Sequence, residues 1–181
     1  LQATSPDVRM LVNAAGVGSN GTIADLAEIN DRLQPEMVRL NCEALLEMTQ
    51  KVLPYLSEKS RIINLASGAA FCPQPGFAVY AATKSFVLFF SRALGRELKK
   101  KKIYVTAVCS GPVATEFFAS DTMKIAAWKK PFLADPNAVV RKALIDSGKR
   151  KKLSVYGGSM KLVRILTKIL PIDFLVWIMG I

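Results

Sequence analysis

Short apolar runs alternate along the chain with longer stretches in which apolar residues recur at helical spacing. The runs at residues 9–13, 61–66 and 103–108 are rich in β-branched residues and leucine, and they predict three buried strands. A shorter run at residues 153–157 predicts a fourth strand. Because buried strands that alternate with helices form parallel sheets covered on both faces, the pattern predicts an α/β fold.

Three helices are predicted between and after these strands, at residues 34–56, 79–99 and 135–146. In the first of them the apolar residues fall on one helical stripe, and Pro35 suits the first turn. Residues 115–130 mix large apolar side chains with small polar ones, and we interpret them as a partly apolar flap.

The composition fits one globular domain with a sizeable core, since 51% of the 181 residues are hydrophobic. We expect this domain to occupy residues 1–158 and an amphipathic, apolar tail to occupy residues 159–181. Residues 1–9 are polar and short, so we expect no signal peptide. An odd number of cysteines in apolar surroundings suits reduced thiols, so we expect a cytoplasmic location. The chain lacks an initiator methionine and is interpreted as a fragment of a longer one.

The chain contains no histidine, and this excludes several kinds of site. Hydrolases of the Ser-His-Asp and Cys-His types lose their base, and histidine-ligated metal sites lose their ligands. Cys42, Cys72 and Cys109 are far apart in apolar surroundings, which predicts reduced thiols and no zinc site. Proton transfer is left to carboxylates, lysine, tyrosine and cysteine.

The net charge is +11, and the basic residues are concentrated at residues 96–102, 129–130 and 149–152. Runs of this kind bind nucleic acids or anionic membranes, or they are solvated helix ends. Residues 99–102 fall where the C-terminus of the second predicted helix favours cations. Because no aromatic residues are interleaved with the runs, we expect no nucleic-acid partner.

Gly16, Gly18 and Gly21 form a G-x-G-x-x-G pattern directly after the first predicted strand. The dinucleotide-binding fingerprint requires a βαβ unit of about 30 residues around this pattern. Here the next strong element is the helix near Pro35, and the next strand comes only at residue 61. The pattern therefore favours a glycine-rich loop with another role.

Tyr80 and Lys84 are four residues apart in the second predicted helix, so their side chains lie on the same face. A nearby ammonium lowers the pKa of a phenol, which would suit Tyr80 to acid–base catalysis. Ser67 follows the second strand, at the sheet edge where α/β proteins bind ligands. Asn41 falls on the apolar stripe of the first helix, where a buried amide needs hydrogen-bond partners.

These residues resemble the short-chain dehydrogenase/reductase family, from its fourth strand to its C-terminus. The resemblance rests on five features in the family's order: Asn13-Ala14-Ala15-Gly16, Asn41, Ser67, the Tyr80-x-x-x-Lys84 pair, and Ser110-Gly111-Pro112-Val113-x-Thr115. It implies the later strands and helices of a Rossmann-like, doubly wound parallel sheet. It also implies an NAD(P)-dependent oxidoreductase that interconverts a ketone and a secondary alcohol on a hydrophobic substrate.

The resemblance also implies a role for each matching residue. Tyr80 would be the general acid or base, Ser67 would hydrogen-bond the same oxygen, and Lys84 would bind the nicotinamide ribose. Asn41 would hold a water in the proton relay. The cofactor would be NADP or NAD, with NADP favoured, and it would be lined by Tyr80, Lys84 and a further set of residues: Asn13, Ala14, Gly16, Gly111, Val113 and Thr115.

The chain departs from the family pattern in two places. Ser110-Gly111 stands where the family has Pro-Gly, and the family's phosphate-binding loop and first three strands would precede residue 1. Cofactor choice is therefore not readable from these residues. The second departure also motivates an alternative hypothesis, in which the chain is a non-catalytic binding or scaffold protein.

The tail opens with a stretch that places Lys161, Arg164 and Lys168 on one helical face and aliphatic residues on the other. Pro171 interrupts it, and residues 172–181 are almost wholly apolar. A basic amphipathic helix can lie in a membrane interface, which would make peripheral membrane contact through residues 161–181. The favoured alternative is that the tail packs over the substrate pocket or in a dimer contact.

We also expect the chain to form a homo-oligomer. In the family's sheet the strand at residues 10–13 is central, so this chain would leave one of its edges unpaired. The family counterparts of the two long helices form a dimer face, and four residues would supply its apolar surface here: Leu45, Met48, Val87 and Phe90.

Overall fold

Four parallel strands form a single sheet in the order in which they occur along the chain. The structure is a computed structural model that describes residues 5–118, 122–123 and 133–179. The strands are β1 (Val8–Asn13), β2 (Leu56–Leu65), β3 (Tyr104–Cys109) and β4 (Leu153–Val155). This arrangement confirms the predicted α/β fold.

Seven α-helices lie in the described part of the chain. They are α1 (Ile23–Ile29), α2 (Leu33–Val38), α3 (Ala44–Val52), α4 (Ala78–Glu97), α5 (Pro136–Gly148), α6 (Gly158–Ile169) and α7 (Ile172–Met179). The sequence pattern missed α1, because this short helix buries only Leu26. Thr22 and Asp25 form a capping box at its N-terminus, which is the local signal for it.

The long helix predicted at residues 34–56 is wrong in its details. A π-helical turn at Arg39–Glu43 separates α2 from α3, and α3 ends at Val52. Leu56 belongs to β2, because its side chain joins the apolar cluster between the sheet and the helices. The helix predicted at residues 79–99 becomes α4 followed by a tight turn at Leu98–Lys101, and the lysine run ends it as expected.

Helices cover both faces of the sheet, and neighbouring residues of β2 show this clearly. Ile62 packs with Leu94 of α4 on one face, whereas Ile63 packs with Val139 of α5 on the other. Successive residues of a strand point to opposite faces, so a continuous apolar run fits a strand buried on both sides. The core therefore has two apolar layers, with the sheet between them.

The expected dimer face is partly wrong, because Leu45 and Val87 are buried within this chain. Met48 remains half exposed on α3. Most of the predicted flap at residues 115–130 lies outside the described residues, as do Lys129 and Lys130. In the portion of the chain that the structure describes, every helix is too short or too polar to cross a membrane.

Candidate active site

The carboxyl ends of the parallel strands bring the loops after β1, β2 and β3 to one edge of the sheet. Ser67 lies just beyond β2 and caps a short helical turn at Gly68–Phe71, accepting a hydrogen bond from the backbone of Ala69 at 3.1 Å. The backbone N–H of Gly68 donates to the carbonyl of Ser110, beyond β3, at 2.7 Å. This bond ties the two strand ends together beside Ser67.

Helix α4 carries Tyr80 and Lys84 to this edge, where both side chains are buried, with exposed fractions of 7% and 5%. The Lys84 ammonium donates to the backbone carbonyl of Leu65, at the end of β2, over 3.0 Å. Its nitrogen lies 5.7 Å from the centre of the Tyr80 ring. The structure therefore brings Ser67, Tyr80 and Lys84 together, as the sequence predicts.

Aromatic side chains enclose the Tyr80 ring. The ring centres of Phe77 and Tyr80 are 4.4 Å apart in a stacked arrangement, and those of Tyr80 and Phe117 are 5.7 Å apart. Gly18 fits between the rings, because a Cβ there would lie 3.0 Å from Tyr80 Cδ2 and 2.7 Å from Phe117 Cζ. The loop after β1 and the segment after β3 therefore close around Tyr80.

The expected lowering of the Tyr80 pKa is wrong in this structure. Burial raises the pKa of Tyr80 to about 12, and a hydrogen bond with Ser67 lowers it only in part. Burial also lowers the pKa of Lys84 to about 8, against the opposing effects of Cys42 and Cys109. Loss of hydration thus dominates for both groups, whereas the prediction considered only the attraction between them.

Asn41 is buried in the π-helical turn, with an exposed fraction of 1%. Its Oδ1 accepts from the N–H of Val17 and its Nδ2 donates to the Val17 carbonyl, both at 2.9 Å. Nδ2 also donates to Thr83 Oγ1 at 3.0 Å, and Thr83 in turn donates to the Tyr80 carbonyl at 2.8 Å. The amide therefore fixes the loop after β1 against α4, as expected for a buried, hydrogen-bonded amide.

Asn13 points into the fold. Its Nδ2 donates to Thr49 Oγ1 at 3.1 Å and to Asn64 Oδ1 at 2.8 Å, while Asn64 Nδ2 donates to Ser91 at 2.9 Å. The sequence analysis missed this network, although polar residues within apolar stretches of two strands and two helices signal it. Asn13 thus fixes the end of β1 to α3 and β2.

The three glycines after β1 allow close approach to neighbouring side chains. A Cβ at Gly16 would lie 3.0 Å from Asn41 Oδ1 and 3.1 Å from Lys84 Nζ. A Cβ at Gly21 would lie 3.0 Å from Leu26 Cγ. These contacts support the interpretation of a loop with a role other than the dinucleotide fingerprint.

The remaining candidates for cofactor binding are spread along the same sheet edge. Ala14 follows β1, and Gly111 follows β3. Val113 forms an isolated bridge with Ala134 and packs against the apolar cluster on the α5 face. Thr115 is exposed, and its hydroxyl donates to the Val113 carbonyl at 3.4 Å.

The sequence analysis named no residue of α6 as a site residue, yet the first turn of this helix packs beside the site. Met160 packs against an apolar cluster that includes Cys109, the last residue of β3. A Cβ at Gly68 would lie 2.5 Å from Met160 Sδ, and one at Gly111 would lie 3.3 Å from Met160 Cγ. The start of the tail therefore packs over the strand ends, whereas its packing over a substrate pocket or in a dimer contact stays a prediction.

Comparison with known proteins agrees with this geometry. The profile of the short chain dehydrogenase family matches residues 1–126. The chain belongs to this family. Its curated relatives include human very-long-chain 3-oxoacyl-CoA reductase, with 31% identity over 156 residues that cover 83% of this chain and 47% of the relative. Human 17-beta-hydroxysteroid dehydrogenase type 3 is 31% identical over 111 residues, which cover 60% of this chain and 36% of that protein. The chain thus spans about half the length of the first of these relatives.

Solved structures of the family share the fold. A short-chain dehydrogenase from Sphingobium yanoikuyae in complex with NADPH has 27% identity and a TM-score of 0.69, with coverage of 81% of this chain and 56% of that one. A 3-ketoacyl-(acyl-carrier-protein) reductase from Brucella melitensis, complexed with NADH, has 25% identity and a TM-score of 0.71. That match covers 82% of this chain and 65% of the reductase.

Proposed function

We propose that the intact protein is an NAD(P)-dependent oxidoreductase that interconverts a ketone and a secondary alcohol on an apolar substrate. The observation that carries this proposal is the convergence of Ser67, Tyr80, Lys84 and Asn41 at one edge of the sheet. The relatives named as 3-oxoacyl-CoA reductases support an acyl chain as the apolar part.

Tyr80 would donate a proton to the carbonyl oxygen during reduction and accept one from the alcohol during oxidation. With a pKa of about 12, its phenol is protonated at neutral pH and ready to act as the donor. The Ser67 hydroxyl, which hydrogen-bonds Tyr80, would hold the same substrate oxygen. Phe77 and Phe117 pack against the Tyr80 ring, and the proton would pass from its hydroxyl to the substrate oxygen.

The residues around Lys84 fit a nicotinamide cofactor. The ammonium has three donors, and the Leu65 carbonyl takes one of them, so donors remain for ribose hydroxyls. Gly16 brings a backbone without a side chain up to the same ammonium. Lys84, Gly16 and Ala14 would hold the ribose, with Gly111, Val113 and Thr115 further along the edge. A bound nicotinamide would supply or accept the hydride, and we favour NADP.

The replacement Tyr80→Phe tests the proposal in the intact protein. Turnover of 3-oxoacyl-CoA and of a panel of apolar ketones is followed by nicotinamide absorbance. Loss of the general acid should lower kcat about 100-fold or more. Tyr104→Phe is the matched control, because Tyr104 begins β3 at the opposite end of the strand and stacks on Arg150. Equal turnover by wild type and Tyr80→Phe would contradict the mechanism, and no turnover by wild type would favour the scaffold alternative.

We further propose that α6 and α7 contact a membrane surface. The outward residues of the two helices are apolar and well exposed: Leu162, Ile165, Ile169, Ile172 and Trp177 are between 54% and 73% exposed. Lys161 and Lys168 are exposed at the edge of the apolar face of α6. Apolar surface flanked by lysines suits the interface of an anionic bilayer. Sedimentation with lipid vesicles tests this proposal.

A further inference from the structure

Helix α6 is fixed above the catalytic edge by its first turn. The Met160 side chain lies against the backbone of Gly68 and Gly111, the residues that follow Ser67 and Ser110. Because each glycine lacks a Cβ, the methionine comes closer to both strand ends than it could with any other residue there. The face of α6 that carries Met160 is therefore the face nearest the reacting groups.

Arg164 lies on that same face, four residues after Met160. Its side chain is half buried, whereas Lys161 and Lys168 on the same helix are exposed. Its charge lowers the pKa of the Cys109 thiol, as does that of Lys84, although burial leaves that pKa at about 12. The Arg164 guanidinium therefore acts on the interior at the end of β3.

No ion-pair partner holds Arg164 within the described residues. The carboxylates that form ion pairs there do so with other cations. A half-buried guanidinium loses hydration, and a charge-assisted hydrogen bond to an oxyanion compensates for that loss. The Arg164 guanidinium is thus suited to bind an anionic group of a ligand.

We propose that Arg164 binds an anionic group of the substrate and makes this enzyme selective for acyl thioesters of coenzyme A over neutral ketones. The inference rests on the proposed function of the same site. Met160 and Arg164 are one helical turn apart, about 5.4 Å along the axis of α6. The guanidinium would therefore meet a part of the substrate other than the reacting carbonyl, and the phosphates of coenzyme A are such a part.

The two kinds of relative are named for substrates that differ in charge. A 3-oxoacyl-CoA carries phosphates, whereas a steroid ketone is neutral. Arg164 would favour the first class, since guanidinium pairs with phosphate through parallel hydrogen bonds. The apolar part of either substrate could lie along Met160.

The test compares wild type and Arg164→Gln in the intact protein with two substrates that share one 3-oxoacyl group. One is the CoA thioester, and the other is the uncharged N-acetylcysteamine thioester. We expect KM for the CoA thioester to rise about 10-fold or more, with KM for the uncharged thioester changed less than about 2-fold. Arg164→Lys should recover part of the loss because it keeps the charge. Lys99→Gln is the control, because Lys99 is an exposed lysine in the turn that ends α4, and it should leave both KM values unchanged.

Calorimetric binding of the CoA thioester separates this inference from the proposed function. Absence of turnover by wild type would overturn the proposed function, whereas equal affinity of wild type and Arg164→Gln for the CoA thioester would overturn the role of Arg164. Equal losses with both thioesters would show a structural role and contradict the inference. A rise in KM for NADPH alone would assign the anion to the cofactor and contradict the inference. A loss confined to vesicle binding would contradict it as well.

Discussion

At the scale of single residues, the site depends on two ionisable groups held out of water. Tyr80 is enclosed by Phe77 and Phe117, and Lys84 is held by the Leu65 carbonyl. Burial favours the neutral form of each, so it moves the two pKa values in opposite directions. A protonated phenol and a readily deprotonated amine are the result.

The lowered pKa of Lys84 predicts how stability depends on pH. Burial lowers this pKa from 10.5 to about 8, so above pH 8 the folded protein releases a proton that the unfolded chain keeps. Burial of the ammonium destabilises the fold most below pH 8, and this destabilisation decreases as the pH rises toward 10. The free energy of unfolding of wild type should therefore rise relative to that of Lys84→Met, by at most about 1.4 kcal/mol per pH unit.

Urea unfolding of both proteins between pH 7 and 10 measures this difference. The window stops at pH 10 because the raised pKa of Tyr80 lowers stability above that value, as the unfolded phenol ionises first. A difference between the two proteins that stays constant from pH 7 to 10 would show that Lys84 keeps an ordinary pKa.

At the scale of elements, short irregular turns decide where polar groups meet. The π-helical turn between α2 and α3 carries Asn41, whose amide joins Val17 to Thr83. π-Helical turns of this kind occur frequently at functional sites. The first turn of α6 likewise places Met160 over the strand ends and leaves the outer face of the helix apolar.

That outer face leads to a prediction for α6 and α7. The intact protein should sediment with vesicles that contain phosphatidylserine at low salt, and high salt should reduce the bound fraction. The double replacement Ile165→Glu with Trp177→Glu should reduce binding severalfold, because it places charges on the apolar face. Ile29→Glu is the matched control, since Ile29 on α1 is 64% exposed, as is Trp177.

Unchanged sedimentation of the double variant would reject the membrane contact. If that variant instead scattered light as a smaller particle than wild type, the same apolar face would be assigned to self-association.

At the scale of the whole molecule, the sheet has an unpaired edge. Within the described residues β1 pairs with β2 alone. Val12, the last residue but one of β1, is 48% exposed. An apolar strand with free N–H and C=O groups recruits other chains. The alternative cause of self-association is an apolar face on the long helices. Burial of Leu45 and Val87 reduces the apolar surface that such a face could offer.

We therefore predict that the 181-residue chain, prepared alone, self-associates through β1. Val12→Lys should reduce the association, because a charge on an edge strand opposes pairing. Val140→Lys on α5 is the matched control, since Val140 is 56% exposed but far from the edge. Light scattering measures the mass, and a 19.8 kDa monomer that unfolds cooperatively would contradict the prediction.

The sequence by itself determined where the strands and the main helices lie and which polar residues meet at one edge of the sheet. Short apolar runs predicted β1 to β4 because strand formation and burial leave a local pattern. The spacing of Tyr80 and Lys84 fixed their common face because helical geometry is local. Asn41 and Ser67 were found for the same reason, from one position on a stripe and one at a strand end. The family motifs then joined these residues into one site.

Only the tertiary structure decided what surrounds these residues. The pKa of Tyr80 rises because Gly18 and Phe117, distant in sequence, exclude water from its ring. Met160 reaches the site because α6 packs across two strand ends, and no local pattern encodes that packing. Hydration and packing depend on every neighbour in space, whereas periodicity depends only on neighbours along the chain.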